Sequence, residues 1–346
     1  MKCVLLFRLL SLSIVVALTV GCTNSGQPAS GKQVVVYSSV DDVFARPVCE
    51  QFERDTGITV LLVPDTEETK STGLLNRLIA EKERPQADVF WSGDPVRAAI
   101  LNSKGVSAAY RSPAAEGLPM EYSDSDGYWT GFSARARVII YNTDLVPDDQ
   151  QPRSVNDLAA PRFKGKACLA NPLFGTTSMH AAALFQVLGD EAARNFFQSL
   201  TDNDVKILSS NGEVRRRVAA GEFSIGLTDT DDAHVAMLEG KPVGVVFPDA
   251  DGIGTLVVPN AAVLIAGGPN PDVGRQFIDY LLRPETELAL ASSEAAQMPV
   301  RPDVTPPKGV TPLGSLKSMA VNYQRLADTQ EELTRGFLKE WVDQNK

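Results

Sequence analysis

Three aspartates within four positions, Asp229, Asp231 and Asp232, put enough carboxylate oxygen in one place to hold a hard cation or to accept hydrogen bonds from a ligand's amine or hydroxyls. Their spacing is not that of an EF-hand, and a solvated acidic turn is the plain alternative. Asp41 and Asp94 carry the same two readings, with a helix N-cap as the plain one. Gly175-Thr176-Thr177-Ser178 stands directly before the apolar stretch 179–188. Hydroxyls and unpaired backbone N–H groups would gather there at a helix N-terminus, which suits an anion. Ser38-Ser39 and Asn211-Gly212 precede helical patterns in the same manner. Arg135 and Arg137 alternate on a strand pattern and share a side with Tyr141. A guanidinium there serves a carboxylate or phosphate ligand, or else a salt bridge between lobes.

The patterns that would mark an enzyme are missing. The chain has two histidines, His180 and His234, and no HExxH, P-loop, GxSxG or CxxC pattern. Ser178 and His180, two apart on one helix, would point about 200° apart and cannot form a nucleophile–base pair. A polar cleft without a catalytic set reads as a binding site.

The elements that must position these residues alternate. Residues 33–37, 58–63 and 87–91 are strand patterns, separated by helical spacing over 43–54, closed by Gly57, and over 72–83. A further helix is opened by Pro95. After a polar loop, a second series runs through strands at 136–141, 167–170, 206–208 and 224–227, with helices at 178–188 and 190–200. A strand at 255–266, helices at 271–282 and 284–292, a Pro-rich segment and a helical stretch at 313–343 complete the chain. Such alternation predicts an α/β protein with parallel sheets. In open α/β sheets ligands bind beyond the carboxyl ends of the strands, where the polar residues named above fall.

With 346 residues, 43% apolar and 22% charged, the chain is globular and long enough for two domains with a cleft between them. Its 33 basic residues against 43 acidic ones give a net charge of −10, and no basic tract exists to bind nucleic acid. Residues 1–21 have the layout of a secretory signal: Lys2 and Arg8, an apolar run too short to span a bilayer, then a small residue before Cys22. Cys22 stands where a bacterial lipobox places its lipidated cysteine, although Leu18 lies one position further back than usual. Residues 22–32 read as a flexible tether. Cys49 and Cys168, one in a helical and one in a strand pattern, are expected to be buried free thiols. The expected division is lobe 1 at 33–130 plus 262–300 and lobe 2 at 131–261 plus 301–346.

Val34-Val35-Val36-Tyr37-Ser38-Ser39, Gln86-Ala87-Asp88-Val89-Phe90-Trp91-Ser92-Gly93-Asp94, Arg135-Ala136-Arg137-Val138-Ile139-Ile140-Tyr141-Asn142, Gly226-Leu227-Thr228 and Gln297-Met298-Pro299-Val300-Arg301-Pro302-Asp303 occur in this order. In this the chain resembles the ferric-iron class of bacterial extracellular solute-binding proteins. The resemblance implies a type II periplasmic-binding-protein fold, two α/β lobes closing over a central ligand cleft. It implies a non-enzymatic, monomeric receptor working with the permease subunits of an ABC importer, periplasmic or at the cell surface, and with the lipobox reading of Cys22 such a receptor is expected to be held to the membrane by lipid alone. The implied cargo is Fe³⁺ or another hard metal with a synergistic anion, and the alternative is an organophosphate of the sugar-phosphate type. In the iron binders adjacent tyrosines follow the Gly-Leu-Thr strand. Here that position reads Asp229-Thr230-Asp231-Asp232, so aspartates stand where the tyrosines would be. The metal set so implied is Asp41, Asp94, Tyr141, Asp231 and Asp232. The anion set is Ser38, Ser39, Arg135, Arg137, Gly175, Thr176, Thr177, Ser178, Asn211 and Asp229.

Overall fold

A β-branched run opens the sheet as β1 (Gln33–Ser38), and α1 (Asp42–Thr56) returns the chain to β2 (Thr59–Pro64). Gly57 ends α1 in the left-handed region at φ 70°, where a side chain would strain the backbone. The computed structural model describes residues 32–65 and 73–345, so the expected leader, the expected lipidation site Cys22 and most of the expected tether lie outside the described residues. After α2 (Gly73–Ala80) come β3 (Val89–Ser92), α3 (Pro95–Ser103), the short β4 (Ser107–Ala108) and β5 (Thr130–Asn142). The second series is β6 (Ala167–Ala170), α4 (Gly175–Leu188), α5 (Asp190–Asp202), β7 (Lys206–Leu208), α6 (Asn211–Ala219), β8 (Ile225–Asp229), α7 (Thr230–Leu238) and β9 (Val243–Val246). The chain ends with β10 (Val257–Ile265), α8 (Pro271–Leu281), α9 (Pro284–Ser292), α10 (Tyr323–Arg335) and α11 (Phe337–Gln344).

The strands form one curled mixed sheet in the order β2-β1-β3-β10-β5-β8-β6-β7. Two parallel triads, β2-β1-β3 and β8-β6-β7, are joined by the antiparallel pair β10-β5. The register decides where the site lies. Ser92 at the end of β3 aligns with Ala261, which aligns with Gly131 on β5. Asp229 at the end of β8 aligns with Arg137 of the same strand. β3 runs along β5 and β8 runs against it, so the carboxyl ends of both triads approach each other around Arg135.

Period-two alternation along β5 sorts its side chains. Ala136, Val138 and Ile140 enter a core with Cys168, Val214, Val218, Ala233 and Ala236, under α6 and α7. Arg137, Ile139 and Tyr141 face the other way. α10 packs against both α3 and α4. The expected single helix over 313–343 is divided: α10 stops at Gly336 and α11 begins after it, docking through Trp341 Nε1, which donates to Phe197 O at 3.0 Å. Among the described residues no helix is long and apolar enough to cross a membrane.

Candidate functional site

Arg137 is the centre of the site and is fully buried. Its Nη1 donates to Asp229 Oδ1 at 2.6 Å, to Thr176 Oγ1 at 3.0 Å and to Asn211 Oδ1 at 3.1 Å, while Nη2 donates to Thr177 Oγ1 at 3.1 Å. The other carboxylate oxygen, Asp229 Oδ2, accepts from Thr176 Oγ1 at 2.7 Å and from Asn211 Nδ2 at 3.1 Å. Strands β5 and β8, the first turn of α4 and the first residue of α6 thus meet on one carboxylate. Burial works to raise the Asp229 pKa, but Arg137, Arg135 and the Thr176 hydroxyl outweigh it and hold the carboxyl below the ordinary carboxylate range.

Next to this core lie Asp231 and Asp232, in the first turn of α7 and not in a solvated turn. The helix follows β8 directly, and its N-terminal dipole favours carboxylates there. Asp229, Asp231 and Asp232 each present an oxygen within 4.8 Å of the others. Burial and the charge of its neighbours Asp231 and Asp229 push the Asp232 carboxyl up to about 7, and burial with Asp229 raises Asp231 despite Arg135. A Cβ on Gly212 would stand 3.6 Å from Asp232 Oδ1, so this carboxylate abuts the start of α6.

Arg135 joins the two halves of the sheet. Its Nη2 donates to Gly93 O at 2.8 Å, and its Nη1 reaches Asp231 Oδ2 at 3.4 Å. Gly93 N in turn donates to Ser39 Oγ at 2.9 Å. A continuous polar chain therefore runs from the loop after β1, through the loop after β3, to α7. Asp41 contributes field to both Arg135 and Asp231.

Four of the expected residues take other roles. Ser38 is buried and its Oγ accepts from Val40 N within a local turn. Asp94 caps α3, accepting from Arg97 N at 3.1 Å and pairing with the Arg97 guanidinium. Tyr141 aligns with Ile225, at the far end of β8 from Asp229, and its ring lies across Gly244 of β9, where a Cβ would stand 2.2 Å from Cζ. Ser178 lies inside α4: the helix begins at Gly175, three residues before the expected start at 178, and Ser178 N already donates to Phe174 O. Gly175, Thr176 and Thr177 supply the amides that precede that first helical bond.

His180 is a residue of the site that sequence reasoning set aside. It sits one turn beyond Thr176 on α4, is 1% exposed, and has both ring nitrogens without partners, as do Ser178 Oγ and Arg137 Nε. Burial, then the Arg137 charge, push its pKa down to about 3, so it is neutral. The signal was present in its i, i+4 relation to Thr176.

Residues 48–316 match the family model described as bacterial extracellular solute-binding protein. The chain belongs to that family. Membership makes it a solute-binding protein and not an enzyme. It is 27% identical over 320 residues to iron uptake protein A1 of Synechocystis sp., covering 89% of this chain and 87% of the relative. It is 25% identical over 333 residues to the major ferric iron-binding protein of Neisseria meningitidis, covering 93% and 97%. The fold matches iron-bound HitA from Pseudomonas aeruginosa with a TM-score of 0.79 and 21% identity, over 90% of this chain and 99% of that one. The periplasmic-binding-protein fold expected from the sequence is the fold found.

Proposed function

We propose that this protein is the receptor of an ABC importer whose cargo is a hard cation, ferric iron first. One observation carries the reading: three carboxylates within 4.8 Å of one another, at the carboxyl end of β8, of which Asp229 pairs with Arg137 and Asp231 lies 3.4 Å from Arg135. Carboxylates crowded in this way repel one another, and a hard oxygen-seeking ion bound between them relieves that repulsion. The names of the iron-uptake relatives support the same cargo. Asp231 and Asp232 are the ligands from α7, and Asp41, whose charge acts on Asp231, is the ligand from the first strand's loop. The two half-sheets act as lobes, 33–130 plus 262–300 and 131–261 plus 301–346, closing on the ion and presenting the closed form to the permease. The lipid anchor at Cys22 keeps the receptor beside its membrane.

The organophosphate reading has the amides that open α4, Ser38-Ser39 and Asn211 grip a phosphate while Asp229, Asp231 and Asp232 accept from the ligand's hydroxyls; against it, Asp229 already accepts from Arg137, Thr176 and Asn211. The test is thermal unfolding with ferric nitrilotriacetate, Mn²⁺, Ca²⁺ and glucose 6-phosphate, since a solute held only by the native state raises the midpoint. Ferric iron is expected to raise it in the natural protein and not in an Asp231→Ala, Asp232→Ala double variant. A rise with glucose 6-phosphate and none with metals would sink the cation reading.

A further inference from the structure

We propose that Asp229 is a built-in counter-anion: its carboxylate fills the donor cradle that a soluble anion would otherwise occupy, so this receptor takes its cation without one. The inference rests on the cation reading above and specifies its ligand set.

The cradle is a complete oxyanion site in its donors. A buried guanidinium N–H, the Thr176 hydroxyl and the Asn211 amide converge on one carboxylate at 2.6, 2.7 and 3.1 Å. Charge-assisted bonds of this length are the strong ones. Arg137 cannot turn to serve a second anion at the cleft: its side chain has no solvent exposure, its Nη2 is spent on Thr177, and its one unpartnered nitrogen, Nε, is itself buried. The occupant is also covalently attached, two residues before Asp231. It is present at the high effective concentration of a tethered group and loses no translational freedom on binding. A soluble phosphate would have to displace it and then sit beside Asp231 and Asp232, where like charges a few ångströms apart repel.

With Asp229 neutralised by Arg137, the second arginine is left for the cation's own ligands. Arg135 reaches Asp231 at 3.4 Å while its other nitrogen is bound to Gly93 O. Asp229 therefore sets the charge behind the site, and Asp231 and Asp232 face the ion.

The experiment has one arm without metal and one with it. Inorganic phosphate titrated calorimetrically into the metal-free natural protein is expected to show no binding tighter than about millimolar, whereas Asp229→Asn and Asp229→Ala bind it at least about tenfold tighter by freeing Arg137. In the second arm, iron uptake from ferric nitrilotriacetate is expected to be the same with and without excess phosphate for the natural protein. In the variants it rises about tenfold on adding phosphate. Phosphate binding by the metal-free natural protein, or iron uptake by it that depends on phosphate, overturns the proposal. If the variants fail to fold, those two measurements on the natural protein still decide it. A natural protein that takes no ferric iron in either buffer refutes the cation reading instead, and the metal-free arm still judges Asp229.

Discussion

Arg137 and Asp229 face each other across β5 and β8 and join through a 2.6 Å ion pair whose side chains are 0% and 5% exposed. Removing both charges from such a pair is often tolerated, whereas removing one strands the other in a medium that cannot solvate it. Arg137→Met alone is therefore expected to cost about 3–5 kcal/mol in urea unfolding. The Arg137→Met, Asp229→Leu double variant is expected to cost less than either single change. A double variant as unstable as the sum of the singles would mean that the pair is not the unit of stability.

Two groups beside that pair, the half-buried Asp232 and the buried His180, titrate in opposite senses. The Asp232 pKa is raised to about 7, so the native state holds more protons than the unfolded chain between the ordinary carboxylate pKa and 7, and stability falls as pH rises through that window. The His180 pKa is lowered to about 3, so the unfolded chain holds more protons below the ordinary imidazole pKa, and stability falls as pH drops through that window. In the metal-free protein the two slopes oppose each other through the acid range. The midpoint advantage of Asp232→Asn over the natural protein is expected to grow as pH rises toward 7 and then level off. The midpoint of His180→Leu relative to the natural protein is expected to improve as pH falls. Thermal scans across pH check both, and a pH-independent difference in either variant would refute its assignment.

Much of the fold was legible because its strands and helices announce themselves locally. β6 at Ala167–Ala170 and α9 at Pro284–Ser292 match the expected spans residue for residue. The first half of β5 did not read as strand, because Gly131 and the positive-φ Ser133 interrupt its pattern and its pairing with β10 shifts register at Pro259/Asn260. The site was legible in residue type and less so in partnership. Arg137 and Asp229 were both marked as ligand residues, but their pairing joins strands 92 positions apart, and no local spacing encodes that register. Tyr141 shares a strand face with Arg137, yet four residues of extended chain carry it about 13 Å further along.

The thiols give a simpler test. Cys49 on α1 and Cys168 on β6 are free and buried, and burial raises both pKa values, that of Cys49 to about 12. A thiol that is neither exposed nor ionised does not attack a disulfide reagent. In protein lacking the leader and Cys22, an aromatic disulfide reagent is expected to label neither cysteine until denaturant is added, and then both. Dithiothreitol is expected to leave the unfolding midpoint unchanged. A midpoint lowered by reductant would reveal a bond between them.

The junction of the half-sheets depends on a carboxylate outside the ligand site. Glu287 on α9 is fully buried and accepts three backbone N–H groups, from Ser133 at 2.6 Å, Val300 at 3.1 Å and Arg301 at 3.0 Å. Ser133 sits at φ 42°, a conformation a side chain resists, and its carbonyl is held by Asn260 of β10. Glu287→Ala would leave three buried donors unpaired, each costing about 1–3 kcal/mol, so the loss in urea unfolding should be among the largest of any single change here. Glu287→Gln keeps one acceptor oxygen but turns an NH₂ toward an amide donor, so it should recover only part of the loss. Ser133→Gly should relieve the backbone strain and raise stability, because glycine adopts that conformation freely. If Ser133→Gly instead destabilises the protein, the positive φ at this position is not a source of strain, since both backbone bonds survive the change and the Ser133 hydroxyl has no hydrogen-bond partner to lose.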